Sequence, residues 1–199
     1  MNTLDFSTLK KNNIVAFLED IFTRRGGEEY LGEPVTMAEH MLQGATLAEQ
    51  NGEDELIIVA ALLHDIGHFT SEFGSFSMDD TKDKYHEDAG ARVLENFFPP
   101  LVVDCVRHHV AAKRYLCAVR PEYFDELSEA SVHSLMLQGG PMNTTETKAF
   151  ESNPNLNKII AVRLLDDAGK SAQMKTPDFS YFAPMVQRVV DQYASNEYC

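Results

Sequence analysis

Leu56-Ile57-Ile58-Val59-Ala60-Ala61-Leu62-Leu63-His64-Asp65 is the stretch that decides the fold. Its unbroken apolar run, with Asp54 available as an N-cap, predicts a helix buried on most of its sides. That helix carries a histidine and an aspartate into the interior. Buried imidazoles and carboxylates need partners, so the rest of the chain has to supply them.

Working outward, the candidates come at long intervals: His40 before the doublet, then His86, His109 and the distant Asp166. In a helical protein, groups roughly 20 to 25 residues apart fall one per helix, because a helix and its loop take about that length before the chain returns to the same level. The local signals agree. Thr36-Met37-Ala38-Glu39 is a capping-box sequence that places His40 in the first turns of a helix running through Leu47. A helix from Tyr85 to Phe98 carries His86, and Pro99-Pro100 stops it and opens the helix that carries His109. Further helices are expected over Asp125–Leu137, ended by Gly139-Gly140-Pro141, over Asn155–Lys170, and over Phe179–Ala194. No stretch shows sustained β alternation, and there is no internal repeat. The expectation is an all-α fold, a single domain over residues 1–199. Arg24 to Glu33, with three glycines ahead of the first histidine helix, reads as a mobile loop beside the site.

Four imidazoles and two carboxylates exceed what one tetrahedral ion needs, and one carboxylate can bridge two ions. Two metals follow, with Asp65 as the bridge. His108 and His109 compete for one position, since neighbouring helical residues point about 100° apart. Lys113, one turn after His109 on the same face, favours His109. Asp166 competes with Asp167, and its flanking Arg163 and Lys170 give it a cationic face suited to an anionic substrate. His68 shares the face of His64 at i+4. It suits a metal ligand if one ion is bound, and a place beside the substrate if two are.

His40, the His64-Asp65 doublet and Asp166 resemble the metal-binding pattern of the HD-domain superfamily, and His86 and His109 resemble its dinuclear branch. With Lys113 and Arg163 added, the stretch from Tyr30 to Lys170 resembles the mixed-valent diiron HD-domain oxygenases. The resemblance implies an HD-domain helical bundle with the metal site in its core. It implies two iron ions, Fe(II)/Fe(III), held by His40, His64, Asp65, His86, His109 and Asp166. It further implies O2-dependent cleavage of the carbon–phosphorus bond of a small phosphonate, 2-amino-1-hydroxyethylphosphonate, to glycine and phosphate. Lys113 and Arg163 would take the phosphonate, and His68, Ser131 and Gln138 would line the substrate pocket. Tyr30 and Glu33 would form a lid, with the tyrosine near the metals and the glutamate near the amine, so that Tyr30, Glu33 and His68 attend the chemistry. Ser131 and Gln138, two turns apart with Leu135, share one helical face. The competing expectation is metal-dependent phosphohydrolysis, in which a bound hydroxide attacks phosphorus. No Gly-Tyr-Pro sequence, P-loop or dinucleotide fingerprint is present to redirect the reading.

Composition narrows the partners. A net charge of −14 argues against a nucleic-acid surface. The start of the chain has no basic stretch followed by an apolar core, and the longest apolar run is far too short to span a bilayer. Cys105, Cys117 and Cys199 are odd in number and fit no C-x-x-C spacing, so they are expected to be bystanders in a reducing cytoplasm. No obligate protein partner is expected.

Overall fold

The computed structural model describes residues 6–30, 32–70 and 80–196. Cys199 and the first five residues, both used in the sequence reading, lie outside them, as does Leu31 of the glycine-rich loop. Among the described residues the fold is all-α. A short 3-10 turn, Phe6–Thr8, precedes α1 (Ile14–Arg25), α2 (Met37–Gln50), α3 (Glu55–Leu63), α4 (Gly67–Thr70) and α5 (His86–Leu94). These are followed by α6 (Pro100–Val119), α7 (Pro121–Asp125), α8 (Glu129–Leu137), α9 (Thr144–Glu151), α10 (Leu156–Ala168) and α11 (Phe179–Asn196). No helix is long and apolar enough to cross a membrane among these residues.

The central helix is α3. Asp54 caps it by accepting the Ile57 N–H, and every residue from Ile57 to Leu63 is buried. It packs against α2, α6, α10 and α11, so the two residues at its end, His64 and Asp65, open into the middle of the molecule. At the start of α2 the Thr36 hydroxyl accepts the Glu39 N–H and the Glu39 carboxylate accepts the Thr36 N–H, closing the predicted capping box. That fixes where α2 begins and therefore where His40 points.

Close backbone approach brings the remaining helices to the same level. A Cβ on Gly67 would stand 1.7 Å from the His86 carbonyl oxygen, so α4 reaches the start of α5 only because this residue has no side chain. Immediately before His86, Tyr85 takes a left-handed backbone (φ 49°), steadied by its N–H donating to Asp83 Oδ1 at 3.1 Å.

Three details depart from the sequence reading. The helix expected over Asp125–Leu137 begins four residues later, as α8, because the Ser128 hydroxyl accepts the Ser131 N–H and starts the helix there, and the short α7 lies ahead of it. Helices α1 and α9, the latter opened by an Asn143–Glu146 capping box, fall where no helix was expected. The glycine-rich loop is pinned: Tyr30 N–H donates to Val35 O, Glu33 N–H to Tyr30 O, and Met37 N–H to Glu28 O.

Candidate metal centre

The six candidate ligands come from five places in the frame: His40 from α2, His64 and Asp65 from the end of α3, His86 from the first residue of α5, His109 from α6, Asp166 from α10. All six are buried. Three rings are oriented by the main chain. His40 Nδ1 lies 2.9 Å from Gly169 O, His64 Nδ1 2.8 Å from Ala61 O, and His109 Nδ1 2.7 Å from Val106 O. With Nδ1–H donating to a carbonyl, Nε2 of each ring is left as the inward-facing ligand atom.

Those atoms converge in two groups around Asp65. Its Oδ2 faces His40 Nε2 and His64 Nε2, each at 3.5 Å. Its Oδ1 faces His109 Nε2 at 3.2 Å, His86 Nε2 at 3.3 Å and His68 Nε2 at 3.8 Å. Asp166 Oδ1 joins the first group, 3.4 Å from His40 Nε2 and 3.9 Å from His64 Nε2. His40, His64 and Asp65 can hold one cation, and Asp65, His68 and His86 have ligand atoms close enough to hold another. One carboxylate thus turns its two oxygens toward two separate clusters.

The chemistry of this donor set fits metal ions. His40 Nε2 and His64 Nε2 lie only 2.9 Å apart, a contact two lone pairs make only with a cation between them. Burial disfavours charge on both rings. The carboxylates of Asp166 and Asp65 outweigh it at His40, raised to about 9, but not at His64, lowered to about 4. Without metal, one proton fills the place a cation would take. Asp166 Oδ1 is buried without a hydrogen-bond partner, the unmet acceptor that a metal ion satisfies. Burial opposes its charge too, but Arg163, at 2.7 Å from its other oxygen, holds Asp166 well below the usual carboxylate range.

The ambiguous neighbours separate cleanly in space. His108 turns away, half-buried, with Nδ1 2.8 Å from the Asp104 carboxylate and its ring near Phe150. Asp167 pairs with Arg163 and accepts the Tyr123 hydroxyl, one layer behind Asp166.

A pocket opens onto the cluster. It is lined by Tyr30, Glu33, His68, Lys113, Ser131, Gln138 and Arg163, the seven residues expected to meet substrate, and also by Asp83, Val110, Ser134 and Lys170. Tyr30 stacks on the His40 ring, centroids 4.0 Å apart, and burial and the charges of Asp65 and Asp166 keep its phenol protonated. His68 stacks on His86 at 4.1 Å. Buried Lys113 donates to Ser134 Oγ at 2.7 Å, and burial, followed by Arg163, pushes its pKa down to about 7. Lys170 donates to Ser131 Oγ at 3.1 Å. Arg163 is more engaged than the sequence reading expected, since Nη1 binds Asp166, Nη2 binds Asp167, and Nε reaches Tyr123 and Asp167. Its first role is to hold the carboxylates. Ser134 escaped the sequence reading of the substrate site, whereas Lys170, read there as part of the cationic face around Asp166, lines the pocket.

The sequence matches the HD domain family over residues 37–170, and the chain belongs to that family. It is 71% identical over 193 residues to [1-hydroxy-2-(trimethylamino)ethyl]phosphonate dioxygenase (glycine-betaine-forming) of Leisingera caerulea, covering 97% of this chain and 98% of that protein. It is 40% identical over 166 residues to hydroxymethylphosphonate dioxygenase of Gimesia maris, covering 83% of each.

Proposed function

We propose that this chain is an O2-dependent diiron oxygenase that cleaves the carbon–phosphorus bond of a 1-hydroxy-2-ammonioethylphosphonate in the cytoplasm. The observation that carries the reading is Asp65 between two metal-binding clusters at the floor of a pocket walled by Lys113 and Lys170. Similarity along nearly the whole chain to the Leisingera dioxygenase favours the trimethylated nitrogen, with glycine betaine and phosphate as products. The overall change balances: the hydroxyl-bearing carbon becomes a carboxylate, phosphorus leaves as phosphate, and O2 supplies both added oxygens.

His40, His64, Asp65 and Asp166 would hold one iron, and Asp65, His86 and His109 the other. An Fe(II)/Fe(III) pair supplies the redox capacity to activate O2 and open positions to accept a substrate oxygen. Two carboxylate ligands leave such a pair net positive, which draws in a phosphonate dianion. The protein's own share is placement. Lys113 and Lys170 neutralise the phosphonate, and Arg163 keeps Asp166 aimed inward. Tyr30 covers the His40 ring and shields it from water. Glu33 offers its charge to the substrate cation.

A specific observation favours a second reading, the unmethylated 2-amino-1-hydroxyethylphosphonate and glycine. Gln138 Oε1 is buried in the pocket wall without a hydrogen-bond partner among the described residues, and an unmethylated ammonium carries N–H groups that could donate to it, which a trimethylated nitrogen lacks. Both readings face the same test. With either compound supplied, phosphate should appear only with O2, and zinc-loaded protein should be inactive, whereas a hydrolase works anaerobically and tolerates a redox-inert ion. Undiminished phosphate release without O2 overturns the oxygenase in favour of the phosphohydrolase. The ratio of kcat/KM for the two compounds then identifies the nitrogen.

A further inference from the structure

The four histidines of the cluster are not held alike. His40, His64 and His109 each place Nδ1 against a main-chain carbonyl, but among the described residues no carbonyl accepts from His86 Nδ1. That nitrogen faces Glu87 Oε2 at 3.5 Å, and the carboxylate oxygen is buried without a hydrogen-bond partner among the described residues. The rest of His86 is already fixed. Gly67 packs on its carbonyl oxygen more closely than any Cβ would allow, and its ring stacks on His68 at 4.1 Å. Stacking does not distinguish an imidazole from the same ring turned over, because the terminal torsion is roughly two-fold. Turned over, the ring would put a carbon where Nε2 now faces Asp65 Oδ1 at 3.3 Å. A partner at Nδ1 is what separates the two orientations, and Glu87 is the group found there.

We propose that Glu87 is a positioning residue of the metal centre: its carboxylate holds the Nδ1 proton of His86, so that Nε2 becomes the ligand atom for the ion shared with Asp65 and His109. The buried oxygen carries this, since a carboxylate taken out of water needs a donor and the neighbouring ring proton is one within reach. A plain role as a first-turn acid of α5 would call for no particular neighbour. Asp88 fills that role equally, with its carboxylate turned to Arg107 at 3.6 Å. A carboxylate behind an imidazole also makes the ring a more basic ligand. The two ion positions therefore differ, one backed by neutral carbonyls at His40 and His64, the other by a carbonyl at His109 and a charge at His86. The inference rests on the two-metal part of the proposed function and is independent of the substrate.

The test is stepwise titration of the whole, chelator-stripped chain with Co(II), followed by calorimetry and by the visible absorption of the bound ion. Wild type should take up two ions per chain. Glu87→Ala should weaken one of them by about 10- to 100-fold and change its absorption band, while the other keeps wild-type affinity. Glu87→Gln, whose amide oxygen still accepts the ring proton, should lose less. Being isosteric, it carries the test alone where the alanine variant does not fold. Asp88→Asn removes the same charge from the same helical turn and should match wild type at both steps. Wild-type affinity at both steps in the folded Glu87 variants overturns the proposal, and so does equal weakening of the two. A loss in Asp88→Asn as large as in Glu87→Ala overturns it as well, because the effect would then belong to the helix dipole. A wild type that binds a single ion instead removes the two-metal reading, and the role of Glu87 with it.

Discussion

At the floor of the site His40, His64 and His109 each give Nδ1 to a backbone carbonyl, whereas on the pocket wall Glu33, Lys113 and Lys170 are gripped by the hydroxyls of Ser128, Ser134 and Ser131. A main-chain carbonyl of the packed frame cannot move without the core moving, whereas a serine hydroxyl is held by one side chain that a single substitution exchanges. The floor is therefore fixed by the same packing that makes the fold. Its wall is set by single side chains, and on the proposed function substrate preference would change there without disturbing the groups that would hold the metals.

The largest expected effect is at the floor. Asp65→Ala removes the group that faces both clusters, so iron content should fall from two per chain to nearly none and O2-dependent turnover should vanish. Metal analysis of the purified variant checks this. Two retained irons would mean that Asp65 does not bridge, and the floor would lose its central claim.

Next comes the choice between adjacent histidines. His109→Ala should lose one iron and the activity, since its Nε2 faces Asp65 Oδ1 at 3.2 Å. His108→Ala should keep both, because its imidazole is spent on Asp104. The reverse result would move the register of α6 by one residue and take Lys113 out of the pocket.

The same contrast explains what was legible in the sequence. The floor could be read because histidines and aspartates on apolar helices are conspicuous, and because one group per helix follows from helix length. Thr36, Asp54 and Pro100 announced the helices that carry them. The wall could not be read so fully. Serines at helix starts and within helices are ordinary, and Ser128 and Ser134 gain meaning only where their hydroxyls meet Glu33 and Lys113. Helices α4 and α7, of four and five residues, are too short to show a period. The break at Ser128 looks, in sequence, like one more polar residue in a continuing helix. Arg163 was located but its bonds were not, since its partner Asp167 was the discarded alternative to Asp166.

A smaller effect is expected when the wall alone is altered. Lys113→Ala and Lys170→Ala should bind iron normally yet raise KM for phosphonates, by about tenfold or more for the buried Lys113 if its contact is worth about 1.5 to 3 kcal/mol. Iron lost from either variant would show that wall and floor are coupled and not independent.

The smallest change lies where wall and floor meet. Tyr30 belongs to the pinned loop by its backbone, which donates to Val35 O, and to the floor by its ring, stacked 4.0 Å from His40. Tyr30→Phe keeps the stacking surface and removes only the hydroxyl. Iron content and melting temperature should therefore stay at wild-type values. Because the phenol faces Asp65 and Asp166, whose charges act on it directly, losing it alters the polar surroundings of the open side of the cluster. The measurable consequence should be a change in O2 consumption per phosphate released, taken by electrode and phosphate assay on the same sample. An unchanged ratio would make Tyr30 a packing residue of the floor. A changed ratio with iron intact would make it the hinge between a fixed metal cradle and an adjustable pocket.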